Sequence, residues 1–184
     1  MIDGDFGGRL LDGETIIWSG RPRQGLVLTA RDLFLVPFSL MWGGFALFWE
    51  TLVVTKSGPV FFQLWGVPFV LIGLYLIAGR FVVDAWARRH TGYAVTNRRI
   101  LIVRTAPFGK FTSLSLDRLP EVQLNERADG SGTLRFGAPT GYWGWGYTGF
   151  GAWSAALDPM PQFIAIADAR GVFDKIQRAI RSAA

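Results

Sequence analysis

Residues 33–54 read LFLVPFSLMWGGFALFWETLVV and residues 59–79 read PVFFQLWGVPFVLIGLYLIAG. Each run is long enough to cross a bilayer as a helix, which takes about 20 apolar residues. Only residues 55–58 separate them, so the pair reads as a transmembrane helical hairpin. The alternative, two buried helices of a soluble domain, fits less well, because soluble helices carry a polar face. Between Leu33 and Trp49 only Ser39 is clearly polar, and the second run carries only Gln63 before Arg80. Pro37, Pro68 and the Gly43–Gly44 pair weaken a soluble helix but are tolerated in a membrane helix.

Charge sets the expected orientation. Arg21, Arg23 and Arg31 precede the first run; Arg80, Arg88, Arg89, Arg98 and Arg99 follow the second; the loop between holds only Lys56. Basic residues favour the cytoplasmic side, so both termini are expected in the cytoplasm. Residues 1–8 are acidic and Gly-rich rather than signal-like, so the first run is expected to be a retained anchor. The net charge of +5 suits a surface near anionic lipid. Nucleic acid is not an expected partner, because the basic residues cluster beside the apolar runs.

The 184 residues suffice for one hairpin and one domain of roughly 100 residues. The chain has no cysteine and a single histidine, His90. That excludes disulfides and thiol chemistry, and leaves no His-based triad or structural zinc site. No metalloprotease helix, phosphate-cradling glycine loop or nucleophile elbow occurs. No catalytic set, metal or cofactor is expected.

Outside the hairpin, residues 14–20, ETIIWSG, read as a strand. Arg80, Asp84 and Arg88 share one helical face, where Asp84 can pair with either arginine. From Thr91 the pattern turns to strands: 93–96, 99–105, 111–116, 122–127, 133–136 and 163–167. Ile100 and Ile102 fall on one face of their strand, Leu101 and Val103 on the other. The DGSG at 129–132 is a hairpin turn signal. Val172, Ile176 and Ile180 then repeat at helical spacing. Short antiparallel strands with one amphipathic helix suggest a small barrel or sandwich with the helix over an open end.

Three stretches carry a family resemblance: Gly13–Glu14 leading into Ile16, Ile17, Trp18 and Gly20–Arg21–Pro22; YAVTNRRIL at 93–101; and the last strand with its helix, 163–180. Together they resemble the bacterial pleckstrin-homology-like (bPH) membrane proteins. The resemblance implies a PH-like fold and a membrane location, and it brings no catalytic residues; the bacterial inner membrane is the expected location. The expected fold class is therefore an α+β membrane protein: a two-helix transmembrane hairpin plus a PH-like antiparallel β-barrel or sandwich capped by a C-terminal α-helix. The expected parts are residues 1–32 with one strand joining the PH-like sheet, the hairpin at 33–83, and the cytoplasmic domain at 91–184. The first strand and the C-terminal segment are expected to share one sheet.

The departure from a plain PH-like domain is residues 137–161, GAPTGYWGWGYTGFGAWSAALDPMP. Long loops in compact domains are usually functional or disordered, and Trp and Tyr favour headgroups and protein interfaces. Trp143, Trp145, Tyr147, Phe150 and Trp153 are the interface candidates, with folding back onto the sheet as the alternative. Gly144, Gly146 and Gly149 form a G-x-G-x-x-G with Asp168 downstream, but no strand enters it and no helix leaves it, so no dinucleotide site follows. Arg88, Arg89, Arg98 and Arg99 are the lipid-phosphate candidates, against the alternative of solvated arginines. His90 reads as a boundary residue. Glu50 lies near the outer end of the first run, where it can reach the headgroups, pair with Lys56 or stay protonated; snorkelling is the favoured reading.

These readings combine into a non-catalytic adaptor or accessory subunit of a membrane protein complex. Its expected partners are membrane lipids and a membrane protein or a second copy of itself. Binding anionic lipid headgroups is the second reading. A membrane enzyme acting on lipid is a third, which nothing in the sequence favours.

Overall fold

The computed structural model describes residues 6–28, 32–137, 155–158 and 160–183. They fall into two units, one made of Leu28–Asp84 and the other of Met1–Val27 with Ala85–Ala184.

The first unit is helical. Helix α1 (Asp32–Thr55) is followed by α2 (Val60–Leu74) and a π-helical turn at Tyr75–Gly79. The same helical run continues as α3 (Arg80–Arg89). Both helical runs are long and apolar enough to cross a membrane, and only 22 % and 17 % of their apolar windows are buried. A soluble core helix buries most of such a surface; here Leu33, Phe34, Met41, Phe48, Leu64 and Leu71 are all well exposed. Several polar side chains are satisfied locally. Ser39 donates to the Val36 carbonyl, Thr51 to Leu47 and Gln63 to Gly58, the economy a water-free medium demands.

A glycine pair and an ion pair are among the contacts between α1 and the second helical run. A Cβ added at Gly73 would lie 2.8 Å from the Gly43 Cα, so the backbones touch at a pair of glycines. At the other end of the hairpin from the 55–59 loop, Arg80 donates to Asp32 at 2.7 Å, with side chains only 2 % and 11 % exposed. Glu50 turns inward: one carboxyl oxygen is buried against Gly66, without a hydrogen-bond partner. The sequence reading of a carboxylate reaching outward is therefore corrected; the missing side chain at Gly66 leaves the space that admits it.

The second unit carries two antiparallel sheets. The first has strand order β1 (Ile16–Gly20), β2 (Thr91–Thr96), β3 (Arg99–Arg104), β4 (Lys110–Ser115). The second has β5 (Val122–Glu126), β6 (Gly132–Phe136), β7 (Gln162–Ile166). Helix α4 (Ala169–Ala183) closes the chain. No closed barrel forms, which corrects one of the two expected architectures. After β4 the chain turns inward at the buried Leu116, and Pro120 has no N–H to continue a ladder. A second expectation is also corrected: β1 pairs with β2, whereas the C-terminal β7 pairs with β6 in the other sheet.

Side-chain alternation builds the core. Tyr93, Val95 and Ile100 of the first sheet meet Leu134, Phe136, Phe163 and Ile166 of the second, with Val172 and Ile176 of α4. Phe163 sits at the centre, its ring 4.5 Å from Tyr93, 5.0 Å from Phe136 and 5.6 Å from Trp18. The opposite face of β2 and β3 presents Ala94, Leu101 and Val103 to Phe6. This explains why every residue of β2 is buried. The 129–132 turn is closed by Asp129, which accepts from the Ser131 N–H and hydroxyl.

Candidate functional site

Strand register brings together residues that the sequence separates. Gly20 pairs with Tyr93 across β1 and β2, and Thr91 pairs with Arg104 across β2 and β3. One residue further along, Arg21, the β2 entrance at His90 and Thr105 therefore meet at the same sheet end. The Thr105 N–H donates to the His90 carbonyl at 2.9 Å, which fixes that register. The last residue of α3, Arg89, joins them. Arg21, Arg89, His90, Thr91 and Thr105 line a recess of about 290 Å³. Ligand sites start at about 300 Å³, so the size suits a small polar group. None of the described residues lining it is acidic.

Two neighbours hold the recess in shape. The buried Arg88 donates to the Arg23 carbonyl at 2.6 Å and the Gly25 carbonyl at 2.7 Å. It thereby pins the chain as it leaves β1, directly after Arg21. His90 Nδ1 lies 2.9 Å from the Trp86 carbonyl, which can only accept, so Nδ1 carries the proton. The His90 ring packs on the exposed Trp86 with centroids 5.6 Å apart.

The four candidate arginines thus have different surroundings. Arg88 is spent on backbone carbonyls and is 1 % exposed. Arg99 grips Glu14: Nε donates to Oε1 at 2.8 Å and Nη2 to Oε2 at 2.9 Å. Thr96 and the Leu11 N–H complete the shell around Glu14. Burial pushes the Glu14 carboxyl up, but these donors and the Arg99 charge outweigh it and lower its pKa from 4.5 to about 2. The Glu14 carboxylate in turn raises the Arg99 pKa. Arg89 and Arg98 are exposed, at opposite ends of the β2–β3 hairpin, about 20 Å apart at the rise of an extended strand. The recess also gathers Arg21, which the sequence reading used only as an orienting charge, and His90, which it read as a boundary residue. The signal that could have found them is the pairing of β1 with β2, which no local pattern encodes.

A second cavity beside Tyr93, Arg104 and Gln162 measures about 40 Å³, room for a water and little else. Arg104 donates from Nη1 to the Ala156 carbonyl at 2.8 Å, and burial lowers its pKa. Among the described residues no group of three or more His, Cys, Asp or Glu side chains is placed to hold a metal ion. The interface candidates Trp143, Trp145, Tyr147, Phe150 and Trp153, and the glycine motif beside them, lie outside the described residues.

A family model described as bacterial PH domain matches residues 34–180, most of the chain. The chain belongs to the bacterial PH domain family. No curated protein and no solved structure matches it. The match includes both apolar helical runs and ends inside α4, whereas β1, with Arg21 behind it, precedes it. PH-like domains are generally non-catalytic binding modules, and this bacterial PH domain protein shares their two-sheet, one-helix plan.

Proposed function

We propose that this bacterial PH domain protein is a non-catalytic adaptor or accessory subunit, anchored in the inner membrane by α1 and the α2–α3 run, with both termini in the cytoplasm. The observation that carries the reading is the exposure of the helical unit. Two helices long enough to span keep their apolar faces outward and satisfy Ser39, Thr51 and Gln63 from their own backbone. A binding-type domain follows in the same chain. The aromatic, Gly-rich stretch at 137–161 supplies the partner surface, through Trp143, Trp145, Tyr147, Phe150 and Trp153.

The test is gentle tagged purification from native membranes, with mass spectrometry of proteins and lipids. It is run on the wild type and on a variant with Trp143, Trp145, Tyr147 and Trp153 replaced by Ala. A stoichiometric membrane partner that the variant loses supports the adaptor reading. Equal association by both chains removes it. Headgroup binding is the second reading, favoured by the recess that gathers Arg21, Arg89 and His90. Charge-driven lipid contact weakens as salt rises, and aromatic docking does not.

A further inference from the structure

We propose that the outer edge of β4 is the surface on which a second copy of this chain pairs, strand to antiparallel strand, about a two-fold axis at Ser113. The proposal does not draw on the adaptor reading. It names an interface of the chain with itself and rests on the two-sheet unit alone.

Register shows which backbone groups the edge offers. β3 and β4 pair residue by residue, from Arg99 opposite Ser115 to Arg104 opposite Lys110. The Leu116 N–H donates to the Arg98 carbonyl at 3.0 Å, the next pair of the same ladder. Opposed residues of an antiparallel ladder exchange hydrogen bonds at every second pair. The even-numbered residues of β4 are therefore bonded to β3. Phe111, Ser113 and Ser115 direct their N–H and C=O groups the other way. β4 ends its sheet, so among the described residues no strand pairs with it on that side. Phe111, Ser113 and Ser115 are all exposed.

The other sheet edges carry the features that block such pairing. β1 has a bulge between Ile16 and Trp18. β7 breaks register opposite Gly132–Leu134, and the Arg23 N–H takes its Ala165 carbonyl. β5 ends in Glu126, which pairs with Arg170. From Phe111 to Ser115 there is no charge, proline, glycine or bulge.

The strand is complementary to itself. Centred on Ser113, an antiparallel pair sets Ser113 opposite Ser113 and Phe111 opposite Ser115, so all three outward-facing residues find partners. A shift of the centre along the strand leaves at least one of them unpaired. Charge agrees with this register. The Arg9 guanidinium stands 5.0 Å from the centre of the Phe111 ring. The Ser115 hydroxyl donates to Asp117, whose contact with Arg118 is long, 3.8 Å, and exposed. With Phe111 opposite Ser115, the Arg9 cation of one copy approaches the Asp117 carboxylate of the other. The two-fold axis repeats that pairing at both ends, which selects a second copy over an unrelated peptide.

The chain has no cysteine, so introduced cysteines report the register without background. The full chain is oxidised with copper phenanthroline in cell lysate, quenched with N-ethylmaleimide and run on non-reducing gels. Ser113→Cys chains should link to each other, because opposed residues at a hydrogen-bonded pair lie about 5.5 Å apart at Cα, within disulfide reach. Phe111→Cys and Ser115→Cys chains should each stay single, about 14 Å from their own counterparts along the strand. Co-expressed, those two should cross-link. Light scattering of the wild type in maltoside micelles should give two chains, and of Ser113→Pro one. Proline there removes only an outward N–H and leaves the β3 ladder whole, and circular dichroism checks that the fold is kept. Equal cross-linking of all three single-cysteine chains, or none at Ser113→Cys, overturns the proposal. So does a folded Ser113→Pro chain with the wild-type mass. Cross-linking of Ser113→Cys to a different protein assigns the edge to another partner and also overturns it.

Discussion

Replacing Glu14 by Gln should remove a specific block of acid sensitivity. The Glu14 carboxylate is fully enclosed and accepts from Arg99 Nε, Arg99 Nη2, Thr96 and Leu11. Its pKa falls from 4.5 to about 2 on folding. Because the folded value is the lower one, the folded state favours the ionised form. The stabilisation is complete above pH 4.5, declines below it, and is gone below about pH 2. At about 1.4 kcal/mol per pH unit, that gap amounts to about 3 kcal/mol. The assay is urea unfolding of the full chain in maltoside micelles, followed by circular dichroism from neutral pH down to 2. Asp117 and Asp129 also have lowered pKa values, from Ser115 and Ser131 hydrogen bonds respectively, so the informative quantity is wild type minus Glu14→Gln. That difference should shrink by about 3 kcal/mol across the window. A flat difference would refute the argument that the shell around Glu14 acts through its charge. Glu14→Gln should also cost about 3 kcal/mol at neutral pH, because it leaves the Arg99 guanidinium partly buried without its counter-ion.

Three further outcomes follow from the packing. Phe163→Ala, at the meeting point of Tyr93, Phe136 and Trp18, should cost about 3–5 kcal/mol in the same urea assay, and Phe163→Leu less than half of that. Arg88→Gln should destabilise the domain by about 2–3 kcal/mol, whereas Arg89→Gln, at the surface, should stay within about 0.5 kcal/mol of wild type. Gly73→Leu should lower the thermal stability of the helical unit in micelles, because its side chain meets the Gly43 backbone. Gly44→Ala, which meets nothing within 4 Å, should not.

Much of this molecule is written locally. The two apolar runs are legible because a helix long enough to span shows itself as an unbroken stretch of side chains. The strands are legible by alternation: Ile100 and Leu101 do fall on opposite faces, one toward Phe163 and one toward Phe6. The bacterial PH family was readable from YAVTNRRIL, the stretch that forms β2, its turn and the start of β3. What tertiary structure alone decided is which neighbour each polar group found. Arg88, Arg89, Arg98 and Arg99 look alike in sequence. The fold buries the first under the chain leaving β1, hands the last to Glu14 some 85 residues earlier, and leaves the other two at opposite ends of a hairpin. Likewise Arg21 reaches Arg89 and His90 only because β1 pairs with β2 across the whole helical hairpin. Periodicity records which way a side chain faces along its own element. It does not record which distant element lies opposite, because that is fixed by hydrogen-bond register and core packing between segments far apart in the chain.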